Sequence, residues 1–182
     1  MSLLFPQLAL SSLLAFASPE VQDAGFSVLA PDAHAHVSAV SPSRAWEEHV
    51  LSVATEHSQQ ILSELGVEAA VHGRVKSLLS RHNKMRRKGL SHSELADRIA
   101  LRLRVDTEDD CYALLDAVHD RFDQVPGELD DYIAEPKSNG YRSLHTAVRV
   151  LGEPVEVQIR THAMHEAAEN GAAAHWRYKL AA

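Results

Sequence analysis

Residues 154–160, Pro-Val-Glu-Val-Gln-Ile-Arg, alternate apolar and polar side chains without a break. Side chains on a strand point to opposite faces in turn. Val155, Val157 and Ile159 therefore belong to one face, and Glu156, Gln158 and Arg160 to the other. Such a run asks for a hydrophobic layer on one side and an open surface on the other. A carboxylate, an amide and a guanidinium in a row are not typical core residues. They suit a chemical site or, equally, the solvent-facing edge of an antiparallel sheet. Residues 98–105 (RIALRLRV) alternate in the same way and read as a second strand. Arg98, Arg102 and Arg104 fall on one face of it. Asp97 has the opposite parity and joins that face only if the strand starts after it or bends there.

Helical periodicity fills the rest. Trp46, Val50, Val53, Ile61 and Leu65 recur at helical spacing over 44–65, with Ser43 placed to cap the start and Gly66 to stop the end. Residues 67–72 (VEAAVH) read as a short strand, and Gly73 as the opening of a helix over about 75–88. In 108–122, Cys111, Leu114, Leu115, Val118 and Phe122 share one face. Thr107 and Asp110 resemble a capping box there, and the acidic first turn suits the helix dipole. The stretch 123–141 is rich in Pro, Gly and Asp and reads as a loop with a short strand around Tyr132–Ile133. Residues 143–150 and 154–160 read as a hairpin joined at Gly152–Glu153, followed by a helix over about 161–176, interrupted by Gly171. This order implies an α/β (α+β) domain with a small mixed sheet flanked by helices.

The first 43 residues look like an extension. They carry no Lys or Arg, and Pro6, Pro19, Pro31 and Pro42 break them up. Little regular structure is expected beyond a short helix near the start. The apolar run of residues 1–18 lacks the basic region of a secretory signal and is too short and mixed for a membrane span. It reads as a helix or a loosely ordered arm, with a cleaved leader as the lesser alternative. The domain division that follows is 1–43 and 44–182. With 182 residues, 45% apolar, the chain can bury a core. Its net charge of −7 argues against a surface built to grip nucleic acid. The single cysteine, Cys111, cannot form an internal disulfide and lies on an apolar stripe. It reads as a small buried hydrophobe in a reducing compartment.

Basic residues gather in 74–88. On a helix, Lys76, Ser80 and Lys84 at i, i+4 and i+8 share a face, with Arg74 at its start. Two ammonium groups, a hydroxyl and a guanidinium make a polyphosphate grip; a solvated basic helix would look the same. In PKSNGYRSLHT (136–146), Asn139–Gly140 marks a tight turn that presents Lys137 and Tyr141 near each other. Tyr141 suits a base-stacking platform, or a loop residue packed on the core. His162, His165, Glu166 and Glu169 match no strong metal signature, and solvated or core-edge residues are the plainer reading.

Taken together, GRVKSLLSRHNK, ADRIALR, CYALLDAVH, VPGELDDYIAEPKSNGYRSLHT, VEVQIRT and MHEAAENGAAAHWRYK closely resemble the synthetase domain of RelA/SpoT-type enzymes. The resemblance runs from about residue 72 to 179, in the family's order and spacing. It implies a nucleotidyltransferase-like synthetase fold that moves pyrophosphate from ATP to the 3′-hydroxyl of GDP or GTP in the cytoplasm. It implies Mg²⁺ held by Asp97 and Glu156, with Glu156 also the general base. Arg74 and Arg102 would sandwich adenine, and Lys76, Ser80 and Lys84 would hold the ATP phosphates. Tyr141 would stack on guanine, with Lys137, Asn139 and His145 holding the guanine nucleotide and Gln158 and Arg160 lining the site. His175 is expected to be structural.

Glu128-Leu129-Asp130-Asp131 resembles the acidic acceptor loop of synthetase-only members. Residues 1–70 are too short for the hydrolase domain of bifunctional ones. The expectation is a small stand-alone synthetase, or a fragment of a longer protein, with homo-oligomerisation open. Neither a membrane nor nucleic acid is an expected partner. The rival readings are a toxin-like enzyme that modifies the 3′ end of tRNA and a nucleotide-sensing module without catalysis. The retained Asp97 and Glu156 weigh against the second.

Overall fold

The computed structural model describes residues 17–170, which divide into two compact units. The first comprises the chain up to Arg44 together with Val75–Leu95; the second comprises Ala45–Arg74 and the chain from Ala96 onward.

In the first unit, α1 (Pro19–Leu29) and α2 (Pro31–Val40) pack on each other and on α4 (Leu78–Lys88). Little regular structure was expected of this N-terminal stretch, and its described part is mostly helix. The reason lies in where the prolines fall. Pro19 and Pro31 each sit in the first turn, where a missing N–H breaks no helical bond and the fixed φ favours the helix. Phe26 and Val37 are buried among these helices, with the Phe26 ring against His34 and His82. Helix α4 starts at Leu78, later than expected. Ser77 caps it by accepting the Ser80 N–H at 3.1 Å, so Lys76 precedes the helix and shares no helical face with Ser80 and Lys84.

In the second unit a mixed sheet of six strands runs in the order β1-β2-β6-β5-β3, with β4 also on β5. The strands are β1 (Ala70–Val75), β2 (Ile99–Val105), β3 (Asp123–Gln124), β4 (Asp130–Asp131), β5 (Leu144–Val150) and β6 (Glu153–Thr161). Strands β2 and β6 are parallel, which requires a long crossover. Strands β5 and β6 form an antiparallel hairpin. Its turn is Leu151–Gly152, one residue earlier than expected, with positive φ at both positions (51° and 84°) as the tightest hairpin turn requires. The short strand expected near Tyr132 falls at Asp130–Asp131.

Helices α3 (Arg44–Leu65) and α5 (Glu108–Arg121) supply Val50, Ala54, Ile61, Cys111, Leu114 and Val118 to one core with Ile99, Leu101, Leu103, Val155, Val157 and Ile159. The Thr107–Asp110 capping box starts α5, with each side chain bonded to the other residue's backbone N–H. Gly73 opens no helix. It lies inside β1, where a Cβ would stand 2.7 Å from Leu51 Cδ1. The missing side chain lets α3 lie close against the strand. A last helix, α6 (His162–Asn170), packs on β2 and β6. Gly171 and His175 lie outside the described residues. Among the described residues no helix is long and apolar enough to cross a membrane.

Candidate functional site

With Val155, Val157 and Ile159 in the core, the opposite face of β6 presents Glu156, Gln158 and Arg160. Register selects their neighbours. Ala100 of β2 and Ala147 of β5 flank Glu156 on its two sides. Both are too small to crowd the carboxylate. Arg102 and His145 flank Gln158, and Arg104 stands beside Arg160.

Glu156 is held by one neighbour and approached by another. The Gln158 side-chain amide donates to its Oε2 at 2.8 Å, and His145 Nδ1 lies 3.7 Å from its Oε1. The other ring nitrogen of His145, Nε2, is 2.8 Å from the Tyr141 hydroxyl. The phenol and the imidazole nitrogen share this bond, and either can be its donor. Burial pushes the His145 imidazole below its ordinary value, with Glu156 opposing. Tyr141, His145 and Glu156 therefore form a polar chain with a neutral imidazole at its centre.

The turn before β5 builds the wall of this site. Gly140, at φ 78°, donates its N–H to the Lys137 carbonyl, and Asn139 Oδ1 accepts the Tyr141 N–H at 3.1 Å. Asn139 thus shapes the turn that presents Tyr141. Tyr132 meets both Tyr141 and His145 edge to face, and Lys137 Nζ lies 4.0 Å from its ring centroid. Cations are attracted to ring faces, so the aromatic pair holds the ammonium beside the Tyr141 ring, 5.5 Å from its centroid. Sequence reading missed Tyr132 as a site residue; an aromatic directly after the acidic loop was its trace. Burial, then a hydrogen bond to Asp130, pushes its phenol up to about 12. Asp131 is occupied locally. It accepts the N–H groups of Ile133 and Ala134 and the Tyr112 hydroxyl.

Beside this wall the sheet is strongly basic. Arg74 and Arg102 line a hollow with His72, Ala100, Leu101 and Gln158. Arg160 is 1% exposed. Its Nη2 donates to His165 Nδ1 at 2.8 Å, and its guanidinium carbon lies 5.9 Å from the Tyr141 ring centroid. Burial, then repulsion from Arg102, lowers the Arg160 pKa. His165 is used as an acceptor of this arginine. Among the described residues no group of three or more His, Cys, Asp or Glu side chains is disposed to hold a metal.

Asp97 is 8% exposed and lies two residues ahead of Ile99, where β2 begins. Strict alternation therefore does not govern it. Arg98 was grouped by parity with Arg102 and Arg104, but it also precedes the strand. It is buried against Glu47 (3.1 Å) and Glu153 (2.6 Å). Lys76, Ser80 and Lys84 belong to the first unit. There the Ser80 hydroxyl bonds with Ser77 and Gln22, and the Lys76 carbonyl accepts from the Arg81 guanidinium. The second unit thus brings together Glu156, Gln158, His145, Tyr141, Asn139, Lys137, Arg160, Arg102 and Arg74. Its layout suits a planar base on Tyr141, anionic groups over the arginines and a proton acceptor at Glu156.

Known proteins share this arrangement of sequence. The family described as a region found in RelA / SpoT proteins matches residues 73–182. A GTP pyrophosphokinase of Streptomyces coelicolor is 44% identical over 162 residues, covering 88% of this chain and 19% of that protein. A probable chloroplastic GTP diphosphokinase of Arabidopsis thaliana, RSH3, is 47% identical over 156 residues, covering 85% and 22%. The chain spans about a fifth of the length of these curated relatives. Among solved structures, the small alarmone synthetase 1 of Bacillus subtilis bound to its product pppGpp is similar at a TM-score of 0.59 and 30% identity. That match covers 75% of this chain and 82% of the other.

Proposed function

This chain belongs to the family of the RelA/SpoT region, and on that premise we propose that it transfers pyrophosphate from ATP to the 3′-hydroxyl of GDP or GTP. The observation that carries this reading is the setting of Glu156, uncrowded between Ala100 and Ala147 and held by Gln158 next to the Tyr141–His145 pair. In the proposed step the acceptor 3′-oxygen attacks the β-phosphorus of ATP. The bond from that phosphorus to the α–β bridging oxygen breaks, AMP leaves, and the hydroxyl proton passes to Glu156. Such transfers need positioning and charge neutralisation more than covalent help. Arg74 and Arg102 would grip adenine, since a guanidinium stacks on flat rings. Lys76, Ser80 and Lys84 are assigned to the ATP phosphates. Tyr141 would carry guanine, with Lys137, Asn139, His145 and Arg160 around it.

Two carboxylates, Asp97 and Glu156, are hard oxygen donors of the kind Mg²⁺ takes alongside substrate phosphates and water. They fit that ion, which when bound would neutralise charge on the transferring phosphates. The burial of Asp97, and the Gln158 amide that holds Glu156 in place, serve such a pair. The reading implies work in the cytoplasm, where ATP and guanine nucleotides are both at hand.

The test is an end-point assay with ATP labelled in its γ-phosphate, Mg²⁺ and, in parallel, GDP, GTP or deacylated tRNA. Label in the guanosine tetra- or pentaphosphate is expected. Label in tRNA alone would move the chain to the toxin-like reading. Glu156→Gln should abolish transfer while nucleotide binding persists; undiminished turnover would remove Glu156 from the base role.

A further inference from the structure

Helix α5 fastens the loop that carries Tyr141 at both of its ends. Where β4 ends and the loop begins, Tyr112 donates its hydroxyl to Asp131 Oδ2 at 3.1 Å. Asp131 passes the hold on to the backbone, since its Oδ1 accepts the N–H groups of Ile133 at 3.0 Å and Ala134 at 2.9 Å. Burial, then the bond to Asp131, pushes the Tyr112 phenol up, so it keeps the proton it donates. At the other end, Arg142 follows Tyr141 directly. Its Nη1 lies 2.8 Å from Glu108 Oε1, and its Nη2 donates to Glu108 Oε2 at 3.1 Å. The same Nη2 reaches the carbonyl of buried Ile133 at 3.2 Å, which ties the end of the loop back to its start. Glu108 and Tyr112 are four residues apart and share one face of α5. Between the two fastenings lie Tyr132, Lys137, Asn139 and Tyr141.

We propose that Glu108 and Tyr112 are positioning residues for the guanine nucleotide: by fastening the ends of the 131–142 loop to α5 they set the Tyr141 ring and the Lys137 ammonium in place before it binds. The inference rests on the assignment of that subsite to Tyr141 and Lys137 made above. A loop loosened at one end samples many arrangements, and only those with ring and ammonium in place bind. Apparent affinity then falls in proportion to the competent fraction. Fastenings made within the free protein remove that loss in advance. The two are unequal in strength. The Arg142 and Glu108 side chains are 37% and 47% exposed, where an ion pair contributes little. The Tyr112 hydroxyl bonds a carboxylate in a partly buried setting, and bonds to charged groups are the stronger kind. Tyr112 therefore carries more of the effect. Arg74 and Arg102, assigned to adenine, stand on β1 and β2, on the far side of β6 from β5 and its loop. Their nucleotide should not sense the fastenings.

The measurement is initial rates of the full chain with Mg²⁺, varying GDP at saturating ATP and ATP at saturating GDP, beside calorimetric binding of GDP. Tyr112→Phe keeps the ring and removes only the hydroxyl. It should raise the KM and the dissociation constant for GDP about fivefold, as when the competent fraction falls to about a fifth. The KM for ATP and kcat should stay as they are, because bound GDP restores the order of the loop. Glu108→Ala should raise the GDP values about twofold, in keeping with the small worth of an exposed ion pair, and Glu108→Gln, which retains an acceptor oxygen, should recover part of that. An unaltered GDP KM in Tyr112→Phe overturns the proposal. So do equal rises in both KM values, or a fall in kcat at constant KM, which is what a merely structural role would produce. If the unaltered protein turns over and Tyr112→Phe matches it in GDP affinity, only this inference fails. If the unaltered protein binds no GDP, the subsite assignment fails and this inference with it.

Discussion

Replacing Glu47 with leucine should be among the most damaging single changes in the second unit. The Glu47 side chain is 2% exposed and that of Arg98 6%, and Arg98 Nη1 donates to Glu47 Oε1 at 3.1 Å. The other arm of the guanidinium reaches Glu153 Oε2 at 2.6 Å, and Trp46 Nε1 donates to the second oxygen of Glu153 at 3.2 Å. The network thus ties the start of α3 to the approach to β2 and the first residue of β6. Removing one partner of a buried ion pair leaves an uncompensated charge and costs about 3–5 kcal/mol. Glu153 is 22% exposed and keeps hold of Arg98, which places Glu47→Leu at the lower end, about 3 kcal/mol. Glu47→Gln retains an oxygen acceptor without its charge and should cost about half as much, since charged bonds are roughly twice as strong as neutral ones. The double variant Glu47→Leu/Arg98→Leu removes the stranded charge as well. It should recover about 2 kcal/mol relative to Glu47→Leu, because apolar replacements of buried pairs are often near neutral. Urea unfolding followed by circular dichroism reads all of these as midpoint shifts at constant slope. A Glu47→Leu protein within about 0.5 kcal/mol of the parent, the ordinary range for surface changes, would refute the reasoning. So would a double variant less stable than either single one.

Other expectations follow from single positions. Tyr141→Ala should weaken GDP binding by about 1–3 kcal/mol if the ring carries the base, and unchanged affinity in calorimetry would move the platform elsewhere. Gly73→Val should cost about 1–3 kcal/mol by overpacking against Leu51 and Leu101, whereas Gly73→Ala meets mainly the mobile end of Leu51 and should cost less; equal midpoints for the two variants would contradict the close approach. His119, whose Nε2 lies 2.9 Å from Thr146 Oγ1, is held below its ordinary value by burial, against opposition from Asp116 and Asp120. The unfolded imidazole then takes up its proton first. Its contribution to stability should be whole above about pH 6.5, the unfolded value, and be lost as pH falls from there through the lower folded value. His119→Gln should flatten that part of the stability curve, and an identical acid slope in both proteins would rule this out.

Periodicity along the chain determined a good deal. Alternation in 154–160 separated Glu156, Gln158 and Arg160 from Val155, Val157 and Ile159, because a pleated backbone leaves a residue no other choice of side. Asn139–Gly140 was enough to fix the turn that carries Tyr141, and Thr107–Asp110 the start of α5, since both are local chemistry completed within a few residues. The same local reasoning misread the prolines: Pro19 and Pro31 look like breakers until their place in a helical first turn is known. It also placed Gly73 at a helix start, where the strand needs it to clear Leu51. Partners distant in sequence were beyond it altogether. Arg98 meets Glu47 and Glu153 across 51 and 55 residues, and Glu169 falls between Arg102 and Arg160 only because β2 and β6 lie parallel with α6 packed on both. A sequence states which face a side chain takes. Which charge waits on that face depends on strand order and register, and these exist only once the chain has folded.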